Sequence, residues 1–177
     1  MKSIGIIKRI SHLLSPQTLK NLYYALIHPY LNYCNLIWTS TYPTHLDKLQ
    51  ILQKKAIRVI TNSSYNSHTK TLFHNLNVLT INQIRQVQTY DFMFRYERNL
   101  LPSAFNSFFP TALLTTQTRS NRTYICPYPR TNTRKFSIGY QGPLLWNNLP
   151  NSIKTATGFS QYKCLTRAFI QQKEYVS

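Results

Sequence analysis

Apolar residues recur along this chain at helical rather than strand spacing. Ile4, Ile7, Ile10, Leu13 and Leu14 are three and four residues apart, which predicts a first amphipathic helix. Ser15-Pro16 then offers an N-cap followed by proline at the first helical position, where a missing N–H is no loss. The helix it opens is predicted to reach about Trp38, kinked or broken before Pro29, with Leu19, Leu22, Leu26, Tyr30, Tyr33 and Ile37 as its buried stripe. Pro43 opens a third helix, from about Thr44 to Thr61. At 100° per residue Leu46, Leu49, Leu52, Ala56, Ile57, Val59 and Ile60 share one arc. Lys48, Lys54, Lys55 and Arg58 share the other, with Asp47 and Ile51 among them.

Beyond a Ser/Asn loop at 62–68, a short helix is predicted over Thr69 to Leu76. A long one, capped by Thr80, runs to about Leu100 and is stopped by Pro102. Asp91 falls on the apolar arc of that helix with Ile81, Ile84, Val87, Gln88 and Phe92. A carboxylate there is costly unless paired, so it is expected to bind an arginine or a backbone cap. Residues 111–135 change character, with seven threonines, no acid, and Arg119, Arg122, Arg130, Arg134 and Lys135 interleaved with Tyr124 and Tyr128. This segment is predicted to be a long loop. Lys135 to Tyr140 alternates polar and apolar like a short strand, Gly142-Pro143 reads as a turn, Trp146 as a core anchor, and Ser160 as the cap of a last helix to about Glu174. The fold expected is mainly α: a helical bundle, a long basic loop, a short extended segment and a C-terminal helix. The divisions fall at 1–61, 62–110, 111–135 and 136–177.

Charge changes the picture. There are 21 Lys and Arg against 4 Asp and Glu, a net of +17, and only 14% of residues are charged. The imbalance therefore comes from missing acids. With Asp47, Asp91, Glu97 and Glu174 as the whole set, the converging carboxylates of two-metal sites and of paired-carboxylate hydrolases cannot be assembled. Cys34, Cys126 and Cys164 have no CxxC spacing, and the five histidines lack the i, i+4 pairing of a helical zinc site, so no metal, cofactor or disulfide framework is expected. Cys34 and His28 are the nearest approach to a nucleophile and base, and core packing explains them better. The most apolar stretch, 22–38, carries Asn32, Asn35, His28 and Pro29, which suits a buried helix rather than a bilayer span. An intracellular protein is expected, with nucleus and cytoplasm left open.

Several runs carry a resemblance. Leu14-Ser15-Pro16-Gln17-Thr18-Leu19, the stretch from Leu22 through His28-Pro29-Tyr30 to Cys34, and Leu46-Asp47-Lys48-Leu49-Gln50 through Arg58 resemble the segment just after the polymerase palm in reverse transcriptases of jockey-like non-LTR retrotransposons. Arg134 to Ile138, Tyr140-Gln141-Gly142-Pro143 and Leu145-Trp146-Asn147-Asn148-Leu149-Pro150 resemble the far C-terminal part of the same polyproteins. The resemblance implies a polymerase-thumb-like bundle at 1–61 that holds a primer–template duplex. It implies no catalytic residue, because the family's aromatic-Ala-Asp-Asp turn is absent. It also implies the tail of a truncated element or a fragment of a longer enzyme, inactive as a polymerase by itself.

Two functions follow as expectations. In the first, Lys48, Lys54, Lys55 and Arg58 contact phosphates of RNA, DNA or an RNA–DNA hybrid, and Arg119, Arg122, Tyr124, Tyr128, Arg130, Arg134 and Lys135 form a second surface of cations and stacking rings. In the second, the basic helical domain docks on an acidic protein or on its missing palm, or is a relic without function. No membrane partner is expected.

Overall fold

The computed structural model describes residues 2–111, 124–126 and 128–176, the side chains of 173–176 excepted. Among these residues there are eleven α-helices, one 3-10 turn and no sheet, and their sole β feature is an isolated bridge between Thr111 and Tyr124. The helices are α1 (Lys2–Ile10), α2 (Pro16–Leu26), α3 (His28–Asn32), α4 (Asn35–Trp38), α5 (Pro43–Ile60), α6 (Thr69–Asn75), α7 (Ile81–Glu97), α8 (Asn132–Phe136), α9 (Ile138–Asn147), α10 (Asn151–Lys154) and α11 (Phe159–Val176). They fall into two units: residues 1–35 with 43–84, and residues 36–42 with 85–177. That division differs from the one expected, because it cuts α7 between Ile84 and Arg85 and groups segments distant in sequence.

In the first unit α5 is the central element. Ala56, Ile57 and Ile60 bury against Ile4 and Ile7 of α1, Leu19 and Tyr23 of α2, and Phe73 and Val78 in and after α6. Gln53, buried on the same helix, fixes the packing. Its Nε2 donates to the Tyr23 hydroxyl (2.8 Å) and the Leu79 carbonyl (2.9 Å), and its Oε1 accepts from the Ile81 amide (3.0 Å). Ser15 caps α2 as expected, through the Thr18 amide. The start of α7 is a capping box: Thr80 Oγ1 accepts from the Gln83 amide, and Gln83 Oε1 accepts from the Thr80 amide.

The second helix of the sequence breaks twice rather than once. Pro29 ends α2 at Leu26, and Cys34, at φ 48°, separates α3 from α4. Each break rotates the following residues about the axis, so the expected stripe survives only as buried Leu19 with half-buried Leu22 and Leu26. Tyr30, Tyr33 and Ile37 are exposed at 78%, 78% and 76%.

The second unit is built on aromatic rings. Tyr90, Met93 and Phe94 of α7 pack with Phe109, Tyr124, Trp146 of α9, and Tyr162 and Ile170 of α11. Phe94 stacks on Tyr162 at 4.0 Å between centroids, and the Tyr162 hydroxyl donates to the Tyr90 carbonyl at 2.9 Å. Trp146 is the core anchor expected of it, at 2% exposure. The last helix begins at Phe159, one residue before Ser160, with Tyr162 and Ile170 on its buried side and Leu165 exposed.

The extended segment and the Gly-Pro turn are corrected. Residues 132–147 form two helices, α8 and α9, meeting at Ser137 (φ −69°, ψ 156°), whose carbonyl accepts from the Tyr140 and Gln141 amides. Alternation over six residues imitates a strand, but only the junction residue Ser137 between the two helices is extended. Pro143 lies inside α9, where a proline costs about 3 kcal/mol in a free helix. The preceding Gly142 packs closely on the core. A Cβ at that position would lie 2.8 Å from Met93 Sδ and 3.2 Å from the Phe109 ring, so α9 approaches as closely as only glycine allows. The expected loop is shortened as well, since α8 begins at Asn132.

Asparagine takes the role usually given to glycine at helix ends. Asn62, Asn77 and Asn99 have φ of 49°, 51° and 52°, each just past α5, α6 and α7. In each case the next amide reaches back to the third-last helical carbonyl: Ser63 to Arg58, Val78 to Phe73, Leu100 to Arg95. These are three Schellman caps in a chain whose four glycines all avoid positive φ.

Candidate nucleic-acid interface

Lys48, Lys54, Lys55 and Arg58 lie on α5 opposite the buried arc, Lys48 and Lys55 exposed, Lys54 and Arg58 half-buried. Lys48 and Lys55 are two turns apart on one line of the helix. Packing of Ile4 and Ile7 against α5 sets Lys8, the next residue of α1, beside the far end of this row. A cleft of about 230 Å³ results, lined by Lys8, Ser11, Lys55, Arg58, Ser63 and Tyr65 among others.

Arg58 organises its rim. Nε and Nη2 both donate to the Ser67 carbonyl, at 3.2 and 3.1 Å, and the guanidinium lies over the Tyr65 ring, 5.7 Å from its centroid. These two bonds use two of its five N–H groups. Tyr65 sits at the second position of a turn closed by Ser67 N–H to Ser64 O (3.1 Å), with the two serine hydroxyls 2.8 Å apart, and it is 80% exposed. Sequence pattern alone does not single out Lys8 or Tyr65. The only signals for them are the position of Lys8 directly after a core isoleucine and of Tyr65 in the loop following a basic helix.

Of the second expected set, Arg119 and Arg122 lie outside the described residues. Tyr128, Arg130, Arg134 and Lys135 are exposed, Tyr128 at 88%, and Arg134 and Lys135 occupy the last turn of α8. Tyr124 is a correction. It is 3% exposed, it exchanges hydrogen bonds with Asn147 (N–H to Oδ1 3.2 Å, Nδ2–H to O 2.8 Å), and its hydroxyl donates to the Glu97 carboxylate. Burial, and then the neighbouring Glu97 carboxylate, raise its pKa far above that of a free tyrosine. It is a core residue and cannot stack on a base.

Asp91 is corrected too. Neither an arginine bond nor a backbone cap holds it; Lys163 Nζ stands 4.0 Å from Oδ2, and Oδ1 is buried without a hydrogen-bond partner. Burial raises its pKa, against the pull of Lys163 and Arg95. Among the described residues no three His, Cys, Asp or Glu side chains gather as metal ligands, and no helix is long and apolar enough to cross a membrane. The three cysteines are free.

No family model, no curated protein and no solved structure matches this chain. The assignment to retrotransposon reverse transcriptases thus has nothing in any of the three comparisons to stand on. It is withdrawn, along with the thumb and polymerase labels that came with it.

Proposed function

We propose that the chain binds the phosphate backbone of nucleic acid without reading base sequence, through the surface of its first unit. The observation that carries this reading is the convergence of Lys8, Lys55 and Arg58 on one cleft in a unit where nine Lys and Arg face Asp47 alone. None of the nine forms an ion pair among the described residues. Helix dipoles give a partial structural reason for Lys8 and Arg58, which lie in the last turns of α1 and α5, where a cation gains about 0.3–1 kcal/mol. Lys48 and Lys55 lie outside those turns, and a helix made only for solubility would interleave glutamates with its lysines. Backbone binding uses all of them at once, because each phosphate neutralised releases condensed counterions.

The test is binding of the purified chain to single-stranded and duplex oligonucleotides across a salt series, beside a Lys8→Ala/Lys55→Ala variant. The expected result is a steep fall of log K with log salt in the parent. In the variant the slope should be shallower by about 0.7 per lysine on single strands and about 0.9 on B-DNA. An unchanged slope and affinity would remove the cleft from the function.

A second reading, docking of an acidic amphipathic protein segment, is favoured by one feature of the same unit. A cavity of about 520 Å³ is lined by Ile4, Leu26, Ile27, Leu31, Leu49 and Leu52, with Lys2 and exposed Tyr30 also on its wall. The +8 charge of the unit, nine cations less one acid, repels a second copy and selects an acidic occupant. This reading predicts association that salt weakens only modestly and that Leu49→Asp abolishes.

A further inference from the structure

We infer that the nucleic acid taken by the α1–α5 cleft is single-stranded, with one unpaired base stacked on Tyr65; this rests on the phosphate-binding reading above. Two properties of the cleft point this way. The first is that an aromatic ring stands among cations with most of its surface open: Tyr65 is 80% exposed, and its one ring-face neighbour among the described residues is the Arg58 guanidinium. In a duplex the base faces are already covered by one another, so a projecting ring finds only edges, sugars and phosphates. A single strand offers free faces, and base–aromatic stacking is tolerant of sequence because every base has one.

The second property is that the turn bearing the ring is held. Tyr65 rides on the Ser64–Ser67 turn, which is tied by the Ser67 amide to Ser64 O. Arg58 bonds the Ser67 carbonyl twice, and Ser63 N–H closes the α5 cap on Arg58 O at 3.0 Å. A turn already fixed leaves only the ring's own rotation to be lost when a base arrives. The same arginine, polarising the ring from one side, leaves the other side for the base. Lys8 and Lys55, on the walls of the cleft, neutralise the neighbouring phosphates. Backbone and base are then gripped within one small cavity, which a rigid duplex cannot enter with a base face leading.

The experiment compares three probes with the full chain at fixed salt: an oligothymidylate of about one helical turn, the same backbone with abasic sites throughout, and a duplex of the same length. Tyr65→Ala, Tyr65→Phe and Lys8→Ala/Lys55→Ala are measured beside the parent, with melting temperatures as the check on folding. Tyr65→Ala is expected to weaken oligothymidylate binding about 5- to 100-fold, leave its salt slope unchanged, and leave the abasic and duplex probes unaffected. Tyr65→Phe should stay within about twofold of the parent. If Tyr65→Ala binds oligothymidylate as the parent does while the lysine variant loses affinity, stacking is wrong and the phosphate reading stands. If the lysine variant matches the parent on every probe, both fall. If Tyr65→Ala weakens the duplex as much as the single strand, the single-strand preference is overturned. Displacement of the oligonucleotide by polyaspartate at equal charge concentration would overturn it as well, in favour of an acidic protein.

Discussion

The first unit holds nine Lys and Arg against one acid and the second holds twelve against three, so their net charges are nearly equal at +8 and +9. What the cations do differs. In the second unit Arg85 donates to the Phe136 carbonyl at 2.8 Å, and Arg98 donates to the Ala156 and Thr157 carbonyls while lying 4.2 Å over the Phe94 ring. Arg95 and Lys163 lie over Phe159, and Lys154 over Trp146. The acids are engaged too: Glu97 by the Tyr124 hydroxyl, Asp91 beside Lys163. In the first unit only Arg58 makes comparable contacts among the described residues, and those fix the rim of the cleft. Equal net charge therefore conceals unequal engagement. Among the described residues, Arg85, Arg95, Arg98, Lys154 and Lys163 are engaged in the second unit's own fold, and Arg58 in the first unit's.

The largest effect expected from breaking this contrast is on the first unit's core. Gln53→Leu fills the space but strips the Leu79 carbonyl and the Ile81 amide of their buried partners. At about 1–3 kcal/mol for each orphaned group, a loss near 3 kcal/mol is expected, seen as a lowered midpoint in urea unfolding. The second unit has its own amide of this kind, Asn147 on the Tyr124 backbone, beside its packed rings. A Gln53→Leu protein as stable as the parent would show that the amide adds nothing to helix packing.

Next in size is a reciprocal pair. Arg98→Ala removes two carbonyl bonds and a ring contact, so about 1–2 kcal/mol of stability should go while nucleic-acid affinity stays the same. Lys55→Ala should do the reverse, holding stability within about 0.5 kcal/mol and lowering both affinity and salt slope. If Arg98→Ala also weakened binding, the division of labour between the two sets of cations would be wrong.

Helix ends give a smaller effect that should be equal in the two units. Asn62→Ala after α5 and Asn99→Ala after α7 both leave a Cβ in the left-handed region without the side chain suited to it. Each should cost about 1 kcal/mol in thermal unfolding, and the glycine variants little or nothing. These caps show where sequence reading succeeds and fails. Helices α1, α5, α6 and α7 are legible because their apolar periodicity is sustained and several of their starts carry Pro or Thr. Their ends are not, because asparagine is common in this chain and nothing marks the three that take positive φ. The α8–α9 region misleads for a tertiary reason. Gly142-Pro143 reads as a turn until Met93 and Phe109 are found pressed against it. The basic face of α5 is legible from its wheel alone. Lys8 and Tyr65 are not, since their membership of the cleft depends on how α1 and the 64–67 turn pack against α5.

The smallest effect, and the one with a definite sign in pH, concerns Asp91. Burial raises its folded pKa above the unfolded value, which for aspartate is about 3.9. The folded state therefore holds the proton more tightly than the unfolded state does. Between those two pKa values stability declines as pH rises, and above the folded one the loss is complete. That is the reverse of a carboxylate locked in a good ion pair, and it follows from an Oδ1 without a partner and a lysine no closer than 4.0 Å. Asp91→Asn removes the titration while keeping the shape. It should therefore match the parent in acid and be slightly more stable at neutral pH, so the difference in melting temperature opens as pH rises from about 4. Lys163→Met serves as the control. It takes away the nearest favourable charge, and in that background the difference made by Asp91→Asn should widen. A parent that instead gains on Asp91→Asn with rising pH would mean that Lys163 and Arg95 outweigh burial, and that the second unit does contain a working ion pair.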